Sequence, residues 1–465
     1  MITFFVALAA LLIGFCTYGV FVDKVFGPTS KPTPATTMRD DVDYMPLPTP
    51  KVFLIQLLNI AGLGPIFGAL AGALWGPVVY FWIVLGTIFS GGVHDYMSGM
   101  ISLRLGGCSI SEVIGKYLGH TMRHTMSAFS VMLLFMIGTI FVTGPAMLLS
   151  KLAGGTVIFW VGCIILYYFL ATILPINKII GRIYPIFGVS IMIMAFGIVF
   201  GLLTGAYHIP EMTLANLHPK NLPIWPLMFI TVACGATSGF HSTQSPMMAR
   251  CLADERNGRK VFYGAMVAEG IIALIWAAAG VSFYESTGAL GAALAKGGPG
   301  GVVYDISVGT MGKIGGLLAM IGVVACPITS GDTAFRSARL TFADWLGVKQ
   351  ASIASRLKIA IPMMAVCAVI SQMNFGVIWR YTSWANQVMA MMVLWAASAY
   401  LLSEKRNYLI TALPAVFMSA VSTTYILQAP EGLSLPVSIS YPGGAIMAAI
   451  AVVLFYTKIV CKYKE

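Results

Sequence analysis

Three carboxylates lie in otherwise apolar sequence: Asp95 beside His94 in FSGGVHDYMSG, Glu269 in GAMVAEGIIALIW, and Asp332 in CPITSGDTAFRSAR. An ionised group at the centre of a membrane helix costs about 2.5–3.5 kcal/mol on insertion scales. Each is therefore a functional candidate by default. Asp95, with His94, has the chemistry of a proton acceptor for ion coupling, or of a gate partner for a basic residue near the helix end. Glu269 could take or pass a proton, or cap a neighbouring backbone break. Thr329 and Ser330, with Asp332, offer the hard oxygen ligands that suit sodium, although Asp332 can also pair with Arg336. His241 follows a Gly- and Ser-rich stretch and could contact a substrate. His120 and His124 have metal-face spacing in GHTMRH, but no third ligand is nearby in the sequence, so no metal is expected there. Asn386 and Gln387 read as interhelical hydrogen-bonders.

The elements that must position these groups are membrane helices. Charged residues make up 10% of the chain and apolar residues 58%, against about 25% charged in soluble domains. The mean hydropathy is +0.86. At about 20 residues per crossing, the chain divides into about thirteen spans: 2–22, 51–74, 76–103, 124–150, 155–174, 183–206, 225–248, 261–285, 313–335, 355–372, 378–402, 408–427 and 441–458. Alternating ten-residue strand patterns are absent, so the expectation is an all-α polytopic membrane protein.

The net charge of +11 reads as topology, not nucleic-acid binding. With the N-terminus outside and the spans threaded in order, 23 of the 28 basic residues fall in inside segments. The exceptions are Lys151, Lys220, Lys296, Lys313 and Arg380. The positive-inside rule supports that orientation and puts the C-terminus in the cytoplasm. The first span has no basic residue before it and no small-residue cleavage site after it, so a retained helix is expected. Residues 34–50 read as a polar, Pro-rich cytoplasmic linker, and 288–305 as an external Gly/Ala-rich re-entrant or gate-like loop. The eight cysteines form no C-x-x-C pair and read as apolar fillers.

Two spans carry residues that work against a continuous helix. Gly62-Leu63-Gly64-Pro65 interrupts the second span, and Gly235-Ala236-Thr237-Ser238-Gly239 the seventh. Pro65 has no N–H to give the Ala61 carbonyl. A freed backbone group survives at membrane depth only against protein or a water-filled cavity. The Gly64, Gly68, Gly72, Gly76 stripe also suits close helix packing. The two breaks open two five-span groups, 51–206 and 225–402, which enter the membrane from opposite sides. Paired interruptions in inverted halves point to a transporter's substrate site. The expected architecture is a five-plus-five inverted repeat of the leucine-transporter type. Residues 1–50 add an N-terminal helix and linker, 207–224 an external connection, and 403–465 two C-terminal helices. Broken helices present N–H groups to an anion and carbonyls to a cation.

Five stretches, YGVFVDKVFGP, NIAGLGPIFGALAGALWGP, FSGGVHDYMSG, ACGATSGFHSTQSPMMARCL and ITSGDTAFRSARL, together resemble the carbon starvation protein A family over most of the chain. The resemblance implies a bacterial inner-membrane transporter of the amino acid–polyamine–organocation superfamily, linked to peptide uptake and, in some members, proton-coupled pyruvate uptake. Better-known members are longer at the C-terminus. The resulting expectation is a symporter for short peptides or pyruvate-like acids, driven by protons through Asp95 or by sodium at Thr329 and Ser330. It involves no cofactor and no nucleic acid. A channel is the competing class. No H-E-x-x-H motif, nucleophile elbow or paired dyad suggests an enzyme.

Overall fold

The computed structural model describes residues 1–40, 43–173, 177–205, 207–348, 350 and 352–464. Among them the chain is helical, with a single isolated bridge between Leu47 and Leu252. Eight helices are long and apolar enough to cross a membrane, or ten if two sharply bent pairs each count as one span. Three expected spans fall outside that count. Residues 157–172 form a shorter apolar helix, and 225–248 is split by irregular backbone. Residues 79–104 hold a wide π turn at Gly86–Gly91. The chain is an all-helical, multi-pass membrane protein. Its outward surface is apolar, as lipid requires: Phe200 is 69% exposed and Val369 71%.

Eight helical segments position the site, and they are numbered in chain order. They are α1 (Thr49–Ile60), α2 (Gly64–Gly72), α3 (Gly92–Arg104), α4 (Leu227–Thr231), α5 (Gly239–Ala249), α6 (Gly264–Phe283), α7 (Cys326–Leu346) and α8 (Phe375–Ser403). The first break lies between α1 and α2, with a 49° bend. The second lies between α4 and α5, where Val232–Ser238 leave helical geometry and Gly235 takes a φ of +77°. Glycine adopts that left-handed conformation without a Cβ penalty.

The π turn before α3 is anchored by a phenol. A π turn disrupts the regular ladder, and Tyr263 OH donates to the Ile88 carbonyl at 2.7 Å. Close packing of helix on helix depends on glycine at two points. A Cβ on Gly91 would sit 2.2 Å from the Ala236 carbonyl oxygen, and one on Gly239 would sit 2.4 Å from that of Asn386.

Polar segments sort to two ends. At one end Arg104 donates to Glu255 at 2.6 Å, to the Gly27 carbonyl at 2.7 Å and to Tyr400 OH at 2.7 Å. Glu255 also accepts from the Thr29 N–H and hydroxyl at 2.8 and 2.7 Å. Linker 34–50 is partly structured here: Pro34–Thr37 form a short helix, and Thr33 OH donates to the Leu252 carbonyl. At the other end the Met1 ammonium sits 2.6 Å from Glu211. His218, Lys296 and Arg380 share a recess. The segment 288–305, expected as a re-entrant or gate-like loop, is helical inside Thr287–Met320, with non-helical points at Gly298 and Gly312. The run Gly297-Gly298-Pro299-Gly300-Gly301 opposes a helix in isolation, but the alanines around it favour one and tertiary packing overrides the local propensity. Lys349, counted among the inside basic residues, lies outside the described residues.

Candidate functional site

The two breaks meet. A Cβ on Gly64 would lie 2.3 Å from the Cβ of Cys234, and one on Gly235 would lie 3.6 Å from Cα of Pro65. Gly62 and Leu63 face a neighbouring helix: a Cβ on Gly62 would lie 2.8 Å from Phe141, and Leu63 is fully buried. The freed carbonyls of the second break have protein partners. Trp82 Nε1 donates to Val232 O at 3.1 Å, and Thr87 Oγ1 to Gly235 O at 3.0 Å. The start of α5 is capped from another helix: Asn386 Oδ1 on α8 accepts from the Phe240 N–H at 2.6 Å and from Ser238 Oγ at 3.1 Å. Ala236 and Thr237 are fully buried in the same turn, and the Thr237 hydroxyl has no hydrogen-bond partner.

Behind this contact runs a chain of four ionisable side chains. Asp95 sits one turn into α3, His241 one turn into α5, and Glu269 within α6. His94 Nδ1 lies 2.8 Å from Asp95 Oδ1, His241 Nδ1 lies 2.8 Å from Asp95 Oδ2, and His241 Nε2 lies 3.3 Å from Glu269 Oε2. All four side chains are fully buried. Neither Glu269 oxygen has a hydrogen-bond donor. Alternating imidazoles and carboxylates can pass a proton along the row once His241 Nε2 realigns on Glu269, because each imidazole can donate at one nitrogen and accept at the other. The row spans three helices, so any shift of α5 against α3 or α6 breaks it.

The structure thus joins the His94–Asp95 pair, His241 and Glu269, expected as three separate candidates, and seats the row beside the second break. Asp95 faces histidines, not the basic residue near its helix end, because Arg104 is engaged by Glu255. Glu269 likewise meets His241. Asp332 stands apart: its carboxylate is 3.7 Å from Arg336 and lines a 330 Å³ cavity with Arg339 and Arg356. Ser330 Oγ is 3.4 Å from the Leu58 carbonyl of α1, which places α7 against the first break. Thr329 precedes it on the same helix. His120 and His124 lie 4.4 Å apart by ring centroids, and His124 accepts from Trp345 Nε1. Cys234, expected as a filler, is instead a polar contact of the site, and Asn386 is its cap. A cysteine within a Gly/Ser-rich break was the available signal.

The central space is small. A cavity of about 30 Å³ is bounded by Gly64, Cys234, Phe240, Ser383 and Asn386, room for about one water. Trp379 borders both this cavity and a 560 Å³ recess that holds Lys296 and Arg380. Its ring stacks on Phe375 at 6.0 Å and leans on Phe67 at 6.0 Å. The aromatic group partitions the recess from the centre.

The family model described as carbon starvation protein CstA matches residues 1–158 and 145–295. The chain belongs to this family. A Haemophilus influenzae membrane protein is 41% identical over 352 residues, 64% of this CstA-family chain and 95% of that protein. The pyruvate/proton symporter BtsT of Escherichia coli is 25% identical over 344 residues, covering 58% of this chain and 47% of that one. The peptide transporter CstA of Bacillus subtilis is 28% identical over 344 residues, covering 59% and 57%. The chain spans about half the length of these two relatives. In fold it is similar to a solved mutant of the Eremococcus coleocola manganese transporter. The TM-score is 0.52 at 11% identity, over 89% of this chain and 93% of that one.

Proposed function

We propose that this CstA-family chain is a secondary transporter of the bacterial inner membrane that imports small carboxylate-bearing nutrients, short peptides or pyruvate, by proton symport. The observation that carries the reading is the contact of two interrupted helices beside the buried row His94–Asp95–His241–Glu269. Broken helices at membrane depth mark substrate sites, and buried intramembrane carboxylates mark ion paths. The relatives named as pyruvate/proton symporter and peptide transporters support the substrate class.

In this reading the substrate carboxylate docks at the helix ends formed by Gly62–Pro65 and Gly235–Gly239, and Ser238 and Thr237 supply hydroxyls. Protonation of Asp95 or Glu269 weakens the row that ties α5 to α3 and α6, and the helices then move to admit substrate. Trp379 closes the recess side. The reading further takes thirteen spans, two inverted five-helix repeats at 51–206 and 225–402, and the N-terminus outside. The sorting of basic segments to the Arg104 end supports that orientation.

Sodium coupling is a second reading favoured by one observation. Ser330 Oγ approaches Leu58 O beside the first break, and the buried Asn59 side-chain oxygen in that turn has no hydrogen-bond partner. Hydroxyl, carbonyl and amide oxygens suit a hard cation.

The deciding experiment is uptake of labelled pyruvate, and separately of a labelled dipeptide, into proteoliposomes under imposed proton or sodium gradients. Proton-driven accumulation that disappears in Asp95→Asn, while counterflow persists, is the expected result. Sodium-driven accumulation lost in Ser330→Ala would replace the proton reading. Equilibration without either gradient's influence and without counterflow would indicate a channel.

A further inference from the structure

Cys234, His241 and Glu269 come from the second break, from α5 and from α6, and one donor atom of each lies within 4.8 Å of the other two. The orientation of the histidine matters most. Its Nδ1 is held at 2.8 Å by Asp95, which leaves Nε2 directed at Glu269 at 3.3 Å. A carboxylate fixing one imidazole nitrogen while the other faces a ligand group is the usual outer arrangement around a histidine-bound metal. Asp95 is itself held by His94, so the imidazole plane is set before any ion arrives.

The other two donors are equally prepared. Both Glu269 oxygens and His241 Nε2 are fully buried, and their 3.3 Å approach is not aligned as a hydrogen bond, an arrangement that is costly unless something else satisfies them. Cys234 Sγ accepts one polar hydrogen, from Asn386 Nδ2 at 3.5 Å, while Ser238 Oγ, 3.4 Å away, gives its own proton to Asn386 Oδ1. The amide hydrogen can support a thiolate. Cys234 also borders the central cavity, so an ion arriving there meets the sulfur first, and the cavity leaves a coordination position for water or another small ligand.

We propose that Cys234, His241 and Glu269 form a binding site for a divalent transition-metal ion of the zinc or cobalt class, oriented by Asp95. One sulfur, one nitrogen and one oxygen donor favour such borderline ions over magnesium or calcium, which demand oxygen. Metal–ligand bonds of about 2.0–2.3 Å in a tetrahedron set donors about 3.3–3.7 Å apart, so the His241–Glu269 pair at 3.3 Å already fits and the Cys234 sulfur closes in by up to about 1 Å. Binding forms one metal–sulfur, one metal–nitrogen and one metal–oxygen bond. It releases the thiol proton and, from an imidazolium, the Nε2 proton, with no change of oxidation state. The inference does not depend on the transport reading. Where both hold, metal and proton compete for His241 and Glu269.

The test uses the full-length protein in detergent, purified with a reductant, freed of metal by dialysis and titrated with Co²⁺ alone. The expected result is one ion per chain with a sulfur-to-cobalt charge-transfer band, displaced by Zn²⁺. That band disappears in Cys234→Ser and persists in Cys251→Ser. Asp95→Asn weakens binding by about 10–100-fold, the usual effect of removing an outer partner. No band in the folded native protein overturns the proposal, as does a band that survives in folded Cys234→Ser. Transport is not measured, so failure here leaves the symport reading untouched.

Discussion

His241 and Asp95, 146 residues apart in the chain, meet Nδ1 to Oδ2 at 2.8 Å with both side chains fully buried. This contact ties the helix after the second break to the helix after the π turn. Truncating one partner of a buried pair leaves the other uncompensated and costs about 3–5 kcal/mol. Asp95→Ala is therefore expected to lower thermal stability in detergent sharply, and Asp95→Asn, which keeps shape and hydrogen bonding, much less. Equal melting of both variants and the native protein would sink this account of the contact.

The meeting of the two breaks depends on glycine. Gly64→Ala would bring a methyl to 2.3 Å from the Cys234 Cβ, and Gly235→Ala would bring one to 2.5 Å from that of Ala273 in a left-handed conformation. Overpacking of this kind costs about 1–3 kcal/mol. Both variants are expected to melt earlier and to lose uptake. Gly162→Ala, where a new Cβ meets nothing within 4 Å, is expected to change neither. A neutral Gly64→Ala would mean that the helix breaks do not touch as described.

Trp379 separates the recess from the central cavity, so Trp379→Ala is expected to admit small reagents. The readout is modification of Cys234 by a charged thiol reagent added on the recess side. A several-fold faster reaction than in the native protein is expected, measured in a background where the exposed Cys16, Cys163 and Cys461 are replaced by Ser. An unchanged rate would assign the barrier to other side chains.

Glu211 holds the start of the first helix. The Met1 ammonium, then the Thr3 N–H and hydroxyl and the Ile2 N–H, bring its carboxyl down from 4.5 to about 2. An acid whose folded value is depressed stabilises the docked state above its unfolded value. That contribution is complete above about pH 4.5 and is lost as pH falls from there toward 2. Amide exchange at Ile2 and Thr3 is expected to quicken in Glu211→Gln at neutral pH, and the difference from the native protein to shrink below pH 4. A constant difference across that range would refute the linkage.

Composition and local chemistry made several features legible in the sequence. Apolar runs of membrane length cannot be placed elsewhere. Gly62–Pro65 and Gly235–Gly239 announced helix breaks because glycine and proline oppose a helix wherever they stand. Asp95, Glu269 and Asp332 were conspicuous because a charge in an apolar run is costly. These are properties of a residue and its immediate neighbours.

What joined them was decided by the tertiary structure alone. Nothing local to His241 says that it bridges Asp95 and Glu269, that Cys234 stands beside it, or that Asn386 caps the same turn, since each partner lies on another helix. Nor did the run at 288–305 reveal that it is helical. Partners as far as 152 residues apart are brought within bonding distance by helix packing, and packing depends on the shape of whole surfaces, which no short stretch of sequence contains.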